Sequence, residues 1–271
     1  MPETLRALRS YDELLSAAGG DPFVRQEVPA TFRGPAFGIP GAVGFVRQNP
    51  LGRRSMTCLG DTAALDRLLA TVREAGRFAE LEVSSVSLPA ASATLLHRHF
   101  TVGDGGDWEW MWTTTAPPVM PGEAGLVALA ARDLPEVQDL LEVGNPTTHA
   151  RPGEHGDEAW VGVRDDAGRL VACAVKERNG AGRPHLAGIT VHPSHRGRGL
   201  GLAMTARLTR LAVGVDGVCT LGMFADNDVA RRLYHGLGYV TAHTWCSRQV
   251  LARPGSASPD RPRAGCSASG P

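Results

Sequence analysis

A glycine-rich turn is the part of the sequence whose residue types and spacing could do chemistry. Residues 192–201 are HPSHRGRGLG, between the apolar run LAGITV and a segment of helical periodicity. Gly197, Gly199 and Gly201 alternate with other residues, and glycine lets backbone N–H groups approach a ligand closely. The start of a helix adds unpaired N–H donors and a partial positive charge. The pattern predicts a binding site for a pyrophosphate.

Two common phosphate-binding motifs do not fit this turn. A dinucleotide fingerprint beginning at Gly197 would need glycine at the position of Leu202. A P-loop would need a Lys-Ser or Lys-Thr pair, which does not follow these glycines.

The turn resembles the acetyl-CoA motif of the GNAT superfamily of N-acetyltransferases, [R/Q]-x-x-G-x-[G/A] after a strand ending V-x-P. Arg196, Gly199 and Gly201 occupy the motif positions, and Val191 and Pro193 precede them.

A second segment supports the same resemblance. Residues 227–239 are NDVARRLYHGLGY, which is similar to the family pattern N-x-x-A-x-x-L-Y-x-x-x-G-[F/Y]. The resemblance covers residues 126–251. It implies an α/β fold whose mixed central sheet is splayed where the strand before the turn and its neighbour part to admit the pantetheine arm.

The resemblance implies acetyl-CoA as cosubstrate. Backbone amides of the turn would hold the pyrophosphate, the strand ending at Val191 would pair with pantetheine, and the two arginines would add charge toward phosphate. Asn227 would contact the cofactor or cap its helix. The implied cofactor-binding residues are Ile189, Val191, Arg196, Gly197, Arg198, Gly199, Leu200, Gly201, Asn227, Ala230 and Tyr234.

Tyr234 is the expected general acid, because it occupies the family's tyrosine position and a phenol can protonate a departing thiolate. An ordinary phenol pKa of about 10 lies above a thiol pKa of about 8.5. The alternative is a tyrosine that only packs beside Val229, Leu233 and Leu237.

The general base has two candidates. His185 begins the strand before the turn, and the ordinary pKa of about 6.5 for histidine suits a base. Glu177 ends the preceding strand. The alternative for each is a solvated surface residue, with the substrate's proton leaving through water.

Histidines and tryptophans elsewhere suggest weaker sites. His97, His99 and the pair His149 and His155 have no supporting ligand set at metal-binding spacing, so we expect no metal. The indoles of Trp108, Trp110 and Trp112 share one side of a strand, where they form either a substrate wall or core.

The elements that must position these residues follow from periodicity. In the C-terminal half we predict strands at 126–130, 159–164, 170–176 and 186–191, with a helix from Asp133 carrying Val137, Leu140 and Leu141. The helix after the turn has Leu200, Met204, Leu208 and Leu211 on one face. In the N-terminal half we predict a helix at 5–18 and strands at 42–47, 55–59, 81–88 and 108–112. A second helix is capped by Asp61 or Thr62, and its buried stripe is Leu65, Leu68, Leu69 and Val72.

Pro/Gly-rich stretches divide the chain. We predict an N-terminal α/β domain at 1–115, a linker at 116–125, the acetyltransferase domain at 126–251 and a disordered tail at 252–271. One interpretation of the N-terminal domain is a degenerate second copy of the GNAT fold.

Composition narrows the partners. Lys+Arg and Asp+Glu both number 28, so no charge excess favours nucleic acid or an anionic membrane. Five scattered cysteines suit a reducing compartment. Together with the lack of a long apolar segment, they predict a cytoplasmic protein. The resemblance implies acetyl-CoA and a small-molecule amine or peptide acceptor as partners, and we expect a monomer or homodimer.

Three functions stay open at this point. The first is an N-acetyltransferase acting on a primary amine, the second a catalytically silent acyl-CoA sensor, and the third an O-acyltransferase or an enzyme for longer acyl chains. Sequence does not name the acceptor.

Overall fold

Strands of three to thirteen residues dominate the N-terminal half. The computed structural model describes residues 4–48, 52–154 and 158–251. The strands of this half are β1 (Arg6–Leu8), β2 (Ala36–Ile39), β3 (Ala42–Gln48), β4 (Arg54–Gly60), β5 (Ser85–Pro89) and β6 (Thr101–Thr113). Its helices are α1 (Tyr11–Ala17), α2 (Pro22–Glu27), α3 (Thr62–Glu74), α4 (Arg77–Glu80) and α5 (Thr94–His99).

The C-terminal half repeats this order of elements. Its strands are β7 (Val127–Ala128), β8 (Ala159–Arg164), β9 (Leu170–Arg178), β10 (Pro184–Val191), β11 (Cys219–Phe224) and β12 (Val240–Leu251). Its helices are α6 (Leu134–Gly144), α7 (Leu200–Asp216) and α8 (Asp228–Gly236).

Within the described residues the strands form one sheet. The first strand of each half lies at one edge, and the strands of that half follow in chain order toward the centre. The order is β1-β2-β3-β4-β5-β12-β6-β11-β10-β9-β8-β7. The pairs β4–β5 and β10–β11 are parallel, and each is connected through a long helix, α3 or α7. The two halves therefore share one topology.

The last strand of each half is exchanged. Strand β6 pairs with β11 and β12, and β12 pairs with β5 and β6. Each half thus contributes its final strand to the neighbourhood of the other, and the two halves are joined through main-chain hydrogen bonds at the centre of the sheet.

Helices cover both faces of the sheet. On the first face, α1 and α2 pack over Trp110 and Trp245, and α6 packs over Cys173 and Val175. On the second face, α3 and α5 cover the N-terminal strands, while α7 and α8 cover Met111 and the C-terminal strands.

Several predicted elements are confirmed. Helix α3 buries Leu65, Leu68, Leu69 and Val72, and its N-cap Asp61 accepts from Ala64 N at 2.9 Å. Helix α6 carries Pro135 in its first turn and buries the three predicted residues. The strands at 42–47, 55–59, 159–164, 170–176 and 186–191 all exist, some longer by a few residues.

Four predictions were wrong in part. The helix at 5–18 begins only at Tyr11, because Ser10 caps it and the preceding residues pair with β2. The strand at 81–88 begins at Ser85, after α4 and a turn with Glu82 at φ 51°. The strand at 126–130 contains two residues. Leu211 is 49% exposed, so it is not on the buried face of α7.

The segment between the halves is anchored to α7. The Arg210 guanidinium donates to Pro117 O at 3.3 Å and Pro118 O at 3.1 Å, and it pairs with the buried Glu123 carboxylate. The predicted domain limits stay a prediction, and the predicted tail lies outside the described residues. Among the described helices, none combines the length and apolarity needed to cross a bilayer.

Candidate functional site

The sheet opens between β10 and β11. These parallel strands pair only at His185 with Thr220 and Leu186 with Leu221. Beyond that point β11 continues beside β6, while β10 has an irregularity between Ala187 and Thr190. The predicted splay of the mixed sheet is confirmed.

Gly188 makes this irregularity possible. Its φ is +58°, and an added Cβ would lie 3.1 Å from both the Ala150 methyl and the Trp160 ring. A larger residue would therefore strain the backbone and crowd Ala150 in the loop after α6 and Trp160 in β8. Glycine fixes where β10 turns away from β11.

The glycine turn lies at the open end of β10. Gly197 and Gly199 have φ of +78° and +76°, and no atom lies within 4 Å of a Cβ added at either position. Gly199 is the N-cap of α7, and no side chain caps the helix. The first N–H groups of α7 therefore face open space without an intrahelical acceptor, as an anion site requires.

The two arginines of the turn have different surroundings. Arg196 donates from Nε to Val191 O at 3.2 Å and from Nη2 to Gly144 O at 2.9 Å. Its guanidinium therefore ties the turn to β10 and α6. Arg198 makes no hydrogen bond or ion pair with another described residue.

Arg198 borders an open depression of about 470 Å³ beside the turn. His195 and Arg169 also line it. Arg169 is neutralised by Asp165 at 2.7 Å, so Arg198 is the cation left available for a phosphate at this edge.

Helix α8 carries the predicted general acid. Asn227 caps it, its side chain accepting from Ala230 N at 3.0 Å. Tyr234 is 7% exposed and packs on the second face with Met204 and Met223. Burial raises the pKa of Tyr234 to about 12, so the phenol stays protonated at neutral pH. No described residue hydrogen-bonds to its hydroxyl.

The two predicted bases lie together on the opposite face. His185 and Glu177 are register partners in β10 and β9, so their side chains share a face, opposite Leu186 of the second-face core. His185 Nδ1 lies 2.9 Å from Thr220 Oγ1, which itself donates to Pro184 O at 3.2 Å. When the Thr220 hydroxyl donates to Pro184 O, Nδ1 is the donor to Thr220 Oγ1 and Nε2 is the acceptor; the other tautomer reverses these roles.

The tryptophans of β6 are largely core. Trp110 is 1% exposed and donates to Glu27 Oε1 at 2.8 Å. Trp108 and Trp112 are partly buried against the same first-face cluster. Trp108 also lies near Gly222. A Cβ added to Gly222 would be 3.8 Å from the Trp108 indole.

The histidines considered for metal binding lie apart from this site. His97 and His99 are in α5, a helix, where His99 Nε2 lies 2.6 Å from Asp66 Oδ1. His149 is in the loop after α6, where burial lowers its pKa and the Arg151 charge adds to the effect. His155 lies outside the described residues. In the described part of the chain, no cluster of three or more metal-ligating side chains occurs.

One buried ion pair beside α8 was missed by sequence reasoning. Glu109 Oε1 accepts from Arg231 Nε at 2.7 Å, and 8% of the Glu109 side chain is exposed. The only sequence signal was a carboxylate between two tryptophans of one strand.

The corresponding turn of the N-terminal half is built differently. Only Asp61 lies between the end of β4 at Gly60 and the start of α3, and its carboxylate caps the helix. Thr62 Oγ1 lies 2.7 Å from Ser92 Oγ, joining the start of α3 to the segment after β5. A carboxylate at this helix start is unsuited to phosphate, so the open glycine turn belongs to the C-terminal half.

The splayed sheet, the glycine turn and the tyrosine helix define a mixed α/β acyltransferase domain. Residues 128–239 match the model of the Acetyltransferase (GNAT) family. The C-terminal half is therefore a domain of the GNAT superfamily. No curated protein matches the chain.

Solved structures show the same fold across both halves. A GCN5-related N-acetyltransferase from Sphaerobacter thermophilus is 17% identical, with 91% of this chain and 94% of that chain covered and a TM-score of 0.60. One from Kribbella flavida is 22% identical, with 89% and 94% covered and a TM-score of 0.53. A GNAT-family acetyltransferase from Colwellia psychrerythraea is 11% identical, with 92% and 100% covered and a TM-score of 0.53.

Proposed function

We propose that this protein transfers the acetyl group of acetyl-CoA to a primary amine of a small molecule or peptide. The observation that carries the proposal is the open glycine turn at the start of α7, directly beside the parted strands β10 and β11. A helix start with free donors suits a pyrophosphate, and the gap between the strands suits a narrow arm that forms main-chain hydrogen bonds.

Acetyl-CoA supplies an activated acetyl thioester, and the chain's residues bind and orient it. The edge of β10 at Ile189 and Val191 pairs with the pantetheine amides, and the N–H groups from Gly197 to Gly201 hold the pyrophosphate. Arg196 acts by fixing the turn, because its donors already serve two carbonyls. The cofactor contacts proposed for the start of α8 are Asn227 and Ala230.

The proton donor and the proton acceptor are assigned to opposite faces of the sheet, where β10 and β11 part. The amine nitrogen attacks the acetyl carbonyl, the carbon–sulfur bond breaks, and Tyr234 donates its phenolic proton to the departing sulfur. The amine loses its proton to His185 Nε2, with Glu177 beside His185 as the second candidate base. Support comes from the protonated phenol on one face and from the imidazole of His185, held by Thr220, on the other.

The test is calorimetric titration with acetyl-CoA alongside a thiol-release assay over a panel of amines. Binding together with thiol release on one class of amine supports the proposal and identifies the acceptor. Binding without release from any amine would favour an acyl-CoA sensor. Absence of acetyl-CoA binding would overturn the assignment of the glycine turn.

A further inference from the structure

The N-terminal half contributes a buried carboxylate to the underside of the tyrosine helix. Glu109 lies on β6, the exchanged strand, and in register with Met223 of β11. Its side chain therefore faces α8 on the second face of the sheet. Both carboxylate oxygens are engaged: Oε1 accepts from Arg231 Nε at 2.7 Å and Oε2 from Thr241 Oγ1 at 2.9 Å.

Arg231 joins three parts of the structure through one guanidinium. Besides Glu109, it donates to the carboxylate of Asp228 in the first turn of α8 and to the carbonyl of Ala225 in the loop before it. The hydrogen bond with Glu109 is the largest of the effects that raise the pKa of Arg231. The exchanged strand, the loop and the helix are thereby locked together.

The buried contacts of helix α8 are few. It has nine residues, Tyr234 is its one buried residue, and Ala230 and Leu233 are partly buried against the same core. The polar contacts of Arg231 add to this packing in fixing where the helix lies. Tyr234 lies three residues after Arg231, so a shift at the guanidinium moves the phenol.

We propose that Glu109 is a positioning residue that holds Tyr234 in place for proton donation. The inference rests on the proposed function of Tyr234 as general acid. Glu109 is buried, and its ion-pair partner is Arg231 of α8, so the carboxylate acts on Tyr234 through Arg231. The N-terminal half then takes part in the reaction through one side chain.

The test is a double-mutant cycle between Glu109→Gln and Tyr234→Phe in the full chain. Alone, Glu109→Gln should lower kcat about 10- to 100-fold, because small displacements of a reacting group cost this much. The acetyl-CoA Kd should change less than about threefold, since the glycine turn is untouched. In the Tyr234→Phe background, Glu109→Gln should change kcat less than about twofold.

Glu123→Gln is the matched control. Glu123 is also a buried carboxylate, and its arginine partner is Arg210. The exposed fractions of the two side chains are 5% and 30%. The corresponding fractions for Glu109 and Arg231 are 8% and 27%. It pairs with α7 away from α8, so kcat should stay unchanged although stability falls. Arg231→Lys is a second variant in case Glu109→Gln does not fold, and it should give a smaller kcat loss with the same non-additivity.

The outcomes separate this inference from the proposed function. A wild-type protein without acetyl-CoA binding overturns the proposed function. A wild-type protein that turns over, with equal kcat losses from Glu109→Gln in both backgrounds, overturns only the positioning role, because a merely structural contact would act independently of the phenol. A Glu109→Gln variant with unchanged kcat overturns it as well.

Discussion

The phenol of Tyr234 is buried between α7, α8 and the sheet, with a pKa raised to about 12 by that burial. Tyr234→Phe removes the proton donor and keeps the packing. Thiol release should fall about 100-fold, the usual contribution of a general acid, and the acetyl-CoA Kd should stay within about threefold. Stopped-flow or steady-state thiol release together with calorimetry measures both quantities.

The pH profile and a neighbouring tyrosine serve as checks. Burial raises the pKa of Tyr234 to about 12, so the phenol keeps its proton between pH 9 and pH 11. The rate should therefore not decline in this range through ionisation of the acid, as it would for an ordinary phenol with a pKa of about 10. Tyr239→Phe loses the hydrogen bond to Thr209 at 2.7 Å, which should cost about 1 kcal/mol of stability without reducing kcat. An equal loss of kcat in both variants would contradict the acid role.

The glycine turn permits a comparison within one helix. Gly199 and Gly217 are the N-cap and C-cap of α7, with φ of +76° and +72°, and a Cβ added to either would lie in open space. Glu at either position costs about 1 kcal/mol of backbone strain. Only Gly199→Glu places a negative charge at the proposed pyrophosphate site, so it should weaken acetyl-CoA binding at least about 100-fold. Calorimetry on both variants tests the difference, and equal affinities would refute the site.

Residues of the site differ in how far the sequence could predict them. Gly197 and Gly199 were predictable because the left-handed conformation they adopt restricts the residue type. The contact of Arg196 with Gly144 O spans 52 positions, and that of Glu109 with Arg231 spans 122. No local pattern encodes such pairs, since they exist only after the sheet has formed.

Among the elements, the start of α3 was predicted better than the start of α1 or the ends of short strands. Asp61 sets the start of α3 through a local hydrogen bond, whereas β7 is limited to Val127 and Ala128 by the register with β8. The three-residue strand β1 exists through its pairing with β2, which the local sequence of residues 6–8 does not encode.

The segment between the halves is an element held by charge. Burial raises the pKa of Glu123, but hydrogen bonds from Arg210 and from Met120 N outweigh this and hold the pKa below its ordinary value of 4.5. A lowered folded-state pKa stabilises the protein above the unfolded-state pKa, and that stability is lost as the pH falls through the folded-state value.

Glu123→Gln should therefore lower the free energy of unfolding by about 2 kcal/mol at pH 7. The difference from the wild type should shrink below about pH 4.5, because the wild-type carboxylate then gains the proton. Urea unfolding at pH 7 and at lower pH measures the difference. A deficit that is the same at all pH values would show that packing, and not charge, anchors the segment.

At the scale of the whole molecule, one topology occurs twice, but only the C-terminal half has the open turn. The α/β class and the splay were predictable from periodicity and from the two motifs. The exchange of β6 and β12 was not, because alternation of apolar residues along a strand does not identify its partner. The Glu109 contact follows from that exchange, since β6 is what brings an N-terminal carboxylate under α8.

The exchange predicts that the halves do not fold separately. A fragment of residues 116–251 lacks both neighbours of β12 and leaves one edge of β11 unpaired. It should show no cooperative urea transition by circular dichroism and should not bind acetyl-CoA. As a control, a protease site inserted in the full chain at Val119, which is 72% exposed, should give two pieces that remain together on gel filtration and keep their affinity for acetyl-CoA. A fragment of residues 116–251 that unfolds cooperatively and binds acetyl-CoA would show that β6 is dispensable, and would leave the exchange as a contact between two independent domains.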